Sequence, residues 1–279
     1  MIGGEVLGRA ARAGVKAAAA AADEVVGAVR GERPGVTVLL YHEVGGPRPS
    51  QVNLPTSLFE DQVAGLAEAG SLVGLDEALE VLAGTRPLDR PLVALTFDDG
   101  TAGFAEHAVP VLARLGAPVT VYVATDWIER GRSFWDDGTT LSWAALADAT
   151  STGVVTVGSH SHGHLLFDRT PAPTLAADLD RSIGLLGDRL GVEARHFAYP
   201  KALAPSPAAE AEVRRRFVSA ALAGTRANHP GADPHRLART PVQVSDGLRW
   251  FRHKARGGLG AEDAARRALN RLRYRGAAT

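Results

Sequence analysis

The sequence predicts an α/β protein of a single domain, in which parallel strands form a closed or nearly closed barrel. Short β-branched runs alternate with helical patterns from Val36 onward, and such alternation implies a parallel sheet. The strand runs are continuously apolar, and the number of strand and helix units is about seven, which favours a barrel over an open sheet. A chain of 279 residues also fits one α/β barrel domain. An open doubly wound sheet is the alternative.

The elements follow one another in a regular order. The predicted strands are residues 36–41, 92–97, 119–123, 154–157, 196–199 and 241–244. The predicted helices between them are residues 57–69, 102–115, 142–149, 175–190 and 208–215. Ser142 is a plausible N-cap of its helix.

Three regions are predicted along the chain: an alanine-rich helical extension at 1–33, the barrel domain at 34–256 and a helical tail at 257–279. The uncharged apolar run 17–22 is shorter than the apolar core of a signal peptide, about 7–15 residues, or a membrane helix, about 20. We therefore expect no signal peptide and no integral membrane segment, with the cytoplasm as the default location. A membrane-surface anchor is the alternative for the extension, and the mature start can lie downstream.

Composition excludes several classes of function. Lysine plus arginine and aspartate plus glutamate both total 31, so we expect neither nucleic acid nor an anionic membrane as a partner. There is no cysteine, which leaves carboxylate and imidazole as metal ligands. The sequence predicts no oligomeric state.

Polar residues directly follow several of the predicted strands. They form the groups Tyr41-His42-Glu43, Asp98-Asp99-Gly100, His160 to His164, and Tyr199-Pro200-Lys201. In a parallel barrel the positions after the strands converge on one face, the C-terminal mouth, where active sites lie. We therefore expect a catalytic site there.

The residue types at the mouth suit metal-assisted hydrolysis. Asp99, His160 and His164 would supply three ligands with an open position, as in catalytic zinc sites. The spacing of the histidines puts both imidazoles on one side of a helical turn. Asp98 would face the substrate and accept a proton. Each motif alone has a simpler explanation, a turn or a solvated histidine pair, and we interpret His162 in that way.

These residues resemble the polysaccharide deacetylases with NodB homology, carbohydrate esterase family 4. The resemblance runs from about Val36 to Phe251 and rests on three motifs: Thr96-Phe97-Asp98-Asp99-Gly100, Gly158-Ser159-His160-Ser161-His162-Gly163-His164, and Phe197-Ala198-Tyr199-Pro200. It implies a distorted (β/α) TIM-like barrel and a divalent ion, expected to be Zn²⁺. It also implies that the second aspartate and two histidines hold that ion, and that the first aspartate is the base.

The sequence departs from this family in its third motif. The family places an arginine where Ala198 stands and a tyrosine where Lys201 stands. Arg239 is the candidate that orients Asp98, because a guanidinium can hold a carboxylate bidentately; a surface arginine is the alternative. Lys201 can still supply a backbone N–H to an oxyanion, while its side chain adds charge at the mouth or points to solvent.

The general acid and the substrate contacts are predicted with the help of the same resemblance. The family's C-terminal leucine-x-histidine motif is not evident near Val242, and branches with an N-terminal Tyr-His motif look like rearrangements in which that histidine is the acid. His42 is therefore the candidate acid, with a structural histidine as the alternative. Tyr199, Pro200 and Trp135 are candidate substrate contacts. The rigid ring of Trp135 could stack on a sugar face, with buried packing as the alternative.

The leading hypothesis is a hydrolase acting on non-peptide carbon–nitrogen bonds. It would remove N-acetyl groups from acetamido sugars of the N-acetylglucosamine type in an oligo- or polysaccharide. One alternative is a metal-dependent amidohydrolase of small N-acyl or cyclic amide compounds, which the missing signal peptide favours slightly. The other is a sugar-binding pseudoenzyme, which is motivated by Ala198 and Lys201.

Overall fold

The structure, a computed structural model, describes residues 14, 16–17, 34–132 and 138–260. Within this part of the chain a closed barrel is formed by parallel strands, the last of which pairs with the first. The barrel strands, in spatial order, are β1 Val36–Tyr41, β4 Leu92–Phe97, β5 Val119–Val123, β6 Val155–Ser159, β7 His196–Ala198, β8 Ser219–Ala223 and β9 Leu237–Pro241. The predicted barrel is confirmed, and the open sheet is excluded.

Helices surround the barrel and bury the outward faces of its strands. They are α1 Thr56–Glu68, α2 Leu75–Leu82, α3 Val109–Arg114, α4 Thr125–Arg130, α5 Trp143–Ser151, α6 Ala172–Leu190, α7 Pro207–Arg214 and α8 Gly247–Ala255. A π-helical turn, Phe104–Ala108, leads into α3. The main core lies between the two layers and includes Val121 and Phe197 from strands and Leu179 from α6.

A second cluster fills the interior of the barrel. Its strand residues alternate along the chain, as Val36 and Val38 do in β1, so they point inward. Leu75, Ala78 and Val81 of α2 belong to the same cluster. Because the first residues of β1, β4 and β9 are also members, α2 closes the N-terminal end of the barrel. The opposite end remains available for a site.

A short parallel pair lies beside the mouth, between β1 and α1. It consists of β2 Glu43–Val44 and β3 Asn53–Leu54. The side chain of Asn53 accepts the N–H of Gly46 at 3.0 Å and donates to the carbonyl oxygen of Arg48 at 2.7 Å. These bonds fix the loop that follows His42.

Some elements differ from the sequence prediction. Strand β8 was not predicted, because Ser-Ala-Ala-Leu-Ala has little β propensity and becomes a strand only between β7 and β9. The last strand spans Leu237–Pro241 instead of 241–244. Pro241 lacks an N–H and ends the strand. Ser142 Oγ accepts the N–H of Ala145 at 3.1 Å, as the predicted N-cap requires.

Most of the proposed N-terminal extension and C-terminal tail lies outside the described residues, so the boundaries at 33 and 257 stay predictions. Lys16 is described and is buried, and its Nζ lies 2.5 Å from Oδ1 of Asp246. At this point the extension is therefore held on the barrel. Among the described residues, no helix has the length and apolar character needed to span a bilayer.

Candidate metal centre and active site

The aspartate pair begins where β4 ends at the mouth. Asp98 is buried, and its backbone N–H donates to the carbonyl oxygen of Tyr41 at 3.0 Å. Asp99 and Gly100 then adopt φ values of 72° and 74°, a left-handed conformation that is costly for a residue other than glycine. This turn separates the two carboxylates, so that they face different partners.

The histidine motif begins where β6 ends. The N–H of His160 donates to the carbonyl oxygen of Val123 at 2.9 Å, which places the residue beside β5. His160 Nδ1 lies 2.8 Å from the carbonyl oxygen of Ala198 in β7. The carbonyl can only accept, so Nδ1 holds the proton and Nε2 keeps a free lone pair. That tautomer is the one a metal ligand needs.

Residues 161–164 form a turn, and the predicted helical turn is wrong. Ser161 and His164 have φ values of 68° and 53°, so the chain reverses and returns the second imidazole to the first. Asp178 of α6 holds this turn by accepting the N–H groups of His162 at 2.9 Å and Gly163 at 2.7 Å. The histidines therefore converge for a different reason from the one that their spacing suggested.

The three predicted ligands come together at the mouth. One ligand atom from each of Asp99, His160 and His164 lies within 4.8 Å of the other two. Oδ1 of Asp99 is 3.6 Å from Nε2 of His160 and 3.4 Å from Nε2 of His164. Two imidazole nitrogens and one carboxylate oxygen suit a divalent ion of the zinc type.

The protonation of these groups also suits a cation. Burial lowers the pKa of His160 to about 4, so its imidazole is neutral at pH 7, as a ligand must be. Burial alone would raise the pKa of Asp99, but the hydrogen bond from His164 and the positive charge that the neighbouring imidazoles carry when protonated lower it. Asp99 is therefore an anion at neutral pH.

Asp98 is held by Arg239, which is itself fully buried in β9. Nη1 and Nη2 of Arg239 lie 2.5 Å and 2.8 Å from the two carboxylate oxygens of Asp98, a bidentate pair. Burial by itself would raise the pKa of Asp98, but the charge of Arg239, that of His160 and the hydrogen bonds from Arg239 lower it. Asp98 is thus ionised and fixed in orientation.

His42 lies at the end of β1, half-buried, and its carbonyl oxygen accepts from Oγ1 of Thr101 at 3.0 Å. Its charge lowers the pKa of both Asp98 and Asp99, which puts it in electrostatic reach of the aspartates. The assignment of His42 as the acid stays a prediction.

The residues that follow β7, Tyr199-Pro200-Lys201, differ in part from the sequence prediction. The side chain of Tyr199 is fully buried, and its ring centroid lies 5.8 Å from that of Phe167 and 5.2 Å from that of Phe197. The prediction that the Tyr199 side chain contacts substrate therefore needs correction, because the aromatic core covers this side chain. Pro200 and Lys201 form a short 3₁₀ turn, in which Lys201 is exposed and has a φ of 58°.

One further side chain beside the histidines, that of Trp127, is not among the predicted site residues. The ring of Trp127 lies 4.5 Å from the imidazole of His164, and the guanidinium of Arg132 lies 5.1 Å from the centre of the Trp127 ring. Trp127 comes soon after β5, so its position at a strand end was the available signal. Trp135, the predicted stacking residue, lies outside the described residues.

Comparisons with known proteins find a family and several solved structures to which this chain is similar. A family model described as polysaccharide deacetylase matches residues 85–214. This range includes the aspartate pair and the histidine motif, and it leaves out His42 and Arg239. No curated protein matches the chain.

Solved structures with a similar fold include IcaB from Ammonifex degensii, at 27% identity and a TM-score of 0.71 over 79% of this chain and 98% of that one. The deacetylase PplD of Streptococcus pyogenes, in complex with acetate, has 17% identity and a TM-score of 0.71 over 80% and 99%. A de-N-acetylase from Aggregatibacter actinomycetemcomitans has 16% identity and a TM-score of 0.67 over 78% and 99%.

Proposed function

We propose that this chain is a polysaccharide deacetylase, a metal-dependent enzyme that hydrolyses the N-acetyl group of acetamido sugars; a family model of that description matches residues 85–214. The expected substrate is an oligo- or polysaccharide with units of the N-acetylglucosamine type. One observation supports this above all others: a cluster of Asp99, His160 and His164 lies beside a second, separately held carboxylate, Asp98. Binding of a cation and transfer of a proton are thus assigned to neighbouring groups.

Asp99, His160 and His164 would hold the cation, and we propose Zn²⁺ because two imidazoles and one carboxylate suit it. When bound, such an ion supplies positive charge that polarises an acyl oxygen and acidifies water. The hydrogen bond from His160 Nδ1 to Ala198 keeps the imidazole oriented. Asp178 orients the turn that presents His164.

Asp98 is proposed to accept the proton of the water that attacks the acetyl carbon. Each of its oxygens accepts one N–H from Arg239, and each keeps a further lone pair for the water. A carboxylate that is ionised at neutral pH and cannot rotate is ready to act as a base. Arg239 thus replaces the arginine that the family places at position 198.

Two groups complete the proposed site. The backbone N–H of Lys201 would donate to the oxyanion, and the strained φ of this residue fits a role of its backbone. His42 would protonate the departing nitrogen, so that the carbon–nitrogen bond breaks to give a free amine on the sugar and acetic acid, which releases its proton to become acetate. Pro200 would line the mouth beside Lys201.

The test is acetate release from chitooligosaccharides, peptidoglycan fragments and a poly-N-acetylglucosamine oligomer, with metal stripped by chelation and then restored. We expect turnover on at least one glycan that depends on restored Zn²⁺. Hydrolysis of small N-acyl or cyclic amides alone would favour the amidohydrolase alternative. Metal binding without turnover on any compound would contradict the proposal.

Two substitutions separate the roles of the aspartates. Asp99→Ala should abolish metal uptake, whereas Asp98→Asn should bind metal and lose turnover. Asp148→Asn, an exposed position on α5, is the matched control and should change neither. A fully active Asp98→Asn enzyme would disprove the assigned base.

A further inference from the structure

Tyr122 of β5 is a buried residue that the proposed mechanism leaves without a role. It points into the barrel, where it belongs to the interior cluster that α2 closes from below. Its ring centre lies 5.2 Å from the guanidinium carbon of Arg239. The ring therefore contacts the same guanidinium that holds the Asp98 carboxylate.

The other contacts of Arg239 show why the Tyr122 ring matters for the buried guanidinium. Its two Nη atoms are committed to Asp98, with a weak 3.5 Å contact from Nη1 to Thr96 Oγ1. Its Nε is buried and has no hydrogen-bond partner among the described residues. Because the guanidinium is shut off from water, an aromatic face is a favourable remaining contact for its charge.

The ring of Tyr122, and not its hydroxyl, makes this contact. The hydroxyl is buried, and no group of the described chain forms a hydrogen bond with it. A buried hydroxyl without a partner is unfavourable, so the hydroxyl gives no reason for a tyrosine in preference to phenylalanine.

Gly158 provides the space that the ring occupies. A Cβ at this position would lie 2.7 Å from Cδ1 and 2.9 Å from Cε1 of Tyr122, and 2.8 Å from the carbonyl oxygen of His196. Backbone and ring both limit the room, so a side chain here would have to displace the ring. The glycine before Ser159 and His160 thus leaves room for the Tyr122 ring at the position where it contacts Arg239.

We propose that Tyr122 is a positioning residue for the deacetylation reaction: its ring, seated against Gly158, holds Arg239 in place, and through Arg239 it holds the base Asp98. The inference rests on the proposed function for its kinetic consequence. Its structural part, the contact between ring and guanidinium, stands independently of turnover.

The test compares Tyr122→Phe with Tyr122→Leu in the full chain loaded with Zn²⁺. Tyr122→Phe keeps the ring and should retain kcat, whereas Tyr122→Leu removes it and should lower kcat by about thirty-fold. KM and the affinity for Zn²⁺ should stay within about two-fold in both, because neither variant touches substrate or metal ligands. Equal kcat in all three proteins, or equal loss in Phe and Leu, would overturn the inference.

A double-mutant cycle decides whether Tyr122 acts through Arg239. In an Arg239→Met background, Tyr122→Leu should cost little further activity, because the arginine it supports is gone. Additive losses would refute the proposed route. If Tyr122→Leu does not fold, Tyr122→Met replaces it under the same criteria.

A spectroscopic measurement keeps the inference separate from the proposed function. In ¹⁵N spectra of the wild type, the Nε–H signal of Arg239 should be shifted by the ring and protected from exchange; Tyr122→Phe should preserve this and Tyr122→Leu should lose it. A signal unchanged in Tyr122→Leu would refute the contact. Absence of turnover in the wild type would count against the proposed function alone.

Discussion

Replacement of Arg239 by methionine gives the sharpest test of how the site is built. The side chains of Arg239 and Asp98 are 1% and 6% exposed, so the substitution would leave a buried carboxylate without its counter-charge. Removal of one partner from a buried pair costs about 3–5 kcal/mol. For a domain of this size that corresponds to a fall in melting temperature of about 6–20 °C.

The assay is thermal unfolding of the wild type and the variant, in the presence of chelator so that bound metal adds no stability. Arg114→Met is the matched control, because Arg114 pairs with Glu60 at 2.7 Å with side chains 55% and 45% exposed. An exposed pair of this kind contributes at most about 1 kcal/mol. The control should therefore melt close to the wild type.

Asp98→Asn added to Arg239→Met should recover part of the lost stability, because it removes the buried charge. An Arg239→Met variant that melts within about 3 °C of the Arg114→Met control would show that the buried carboxylate does not need its counter-charge. A double variant with Asp98→Asn that regains no stability would show that the loss comes from packing.

Three further predictions follow from contacts at the site and elsewhere in the barrel. Asp178→Ala should weaken Zn²⁺ binding by about 10–100-fold in a competition titration, because the histidine turn loses its acceptor; Asp180→Ala, an exposed neighbour on α6, should not. Burial lowers the pKa of His196 below its ordinary value of 6.5, so the unfolded chain takes up the proton first as the pH falls. The contribution of the neutral, buried His196 to the free energy of unfolding is fully present above pH 6.5 and is lost as the pH falls below that value. The melting temperature of the wild type should therefore fall more between pH 8 and pH 5.5 than that of His196→Gln, and equal falls would disprove the assignment. Tyr199→Phe should keep kcat/KM within about two-fold, because its hydroxyl is buried and has no partner in the described chain; a large loss would restore Tyr199 as a substrate contact.

The sequence alone determined the class of the fold and the residues to examine. Each strand and helix is recognised from a pattern that extends over only a few residues, and the alternation of apolar strands with helices then indicates a parallel barrel. Polar residues that follow parallel strands meet at one mouth of a barrel. The sequence alone therefore predicts that four residues lie close together: Asp98, Asp99, His160 and His164. The assignment of their roles still rests on the experiments above.

Tertiary structure decided the features that depend on closure of the barrel. Strand β8 exists because its neighbours pair with it, and α2 seals the barrel because apolar residues of both meet there. Arg239 was predicted as the partner of Asp98 with a surface arginine as the alternative, and the fold decides between them by joining these positions, which are 141 residues apart. The contact of Tyr122 with that arginine crosses the same interior. Local sequence patterns hold no information on such distant contacts, since only the folded barrel brings these side chains together.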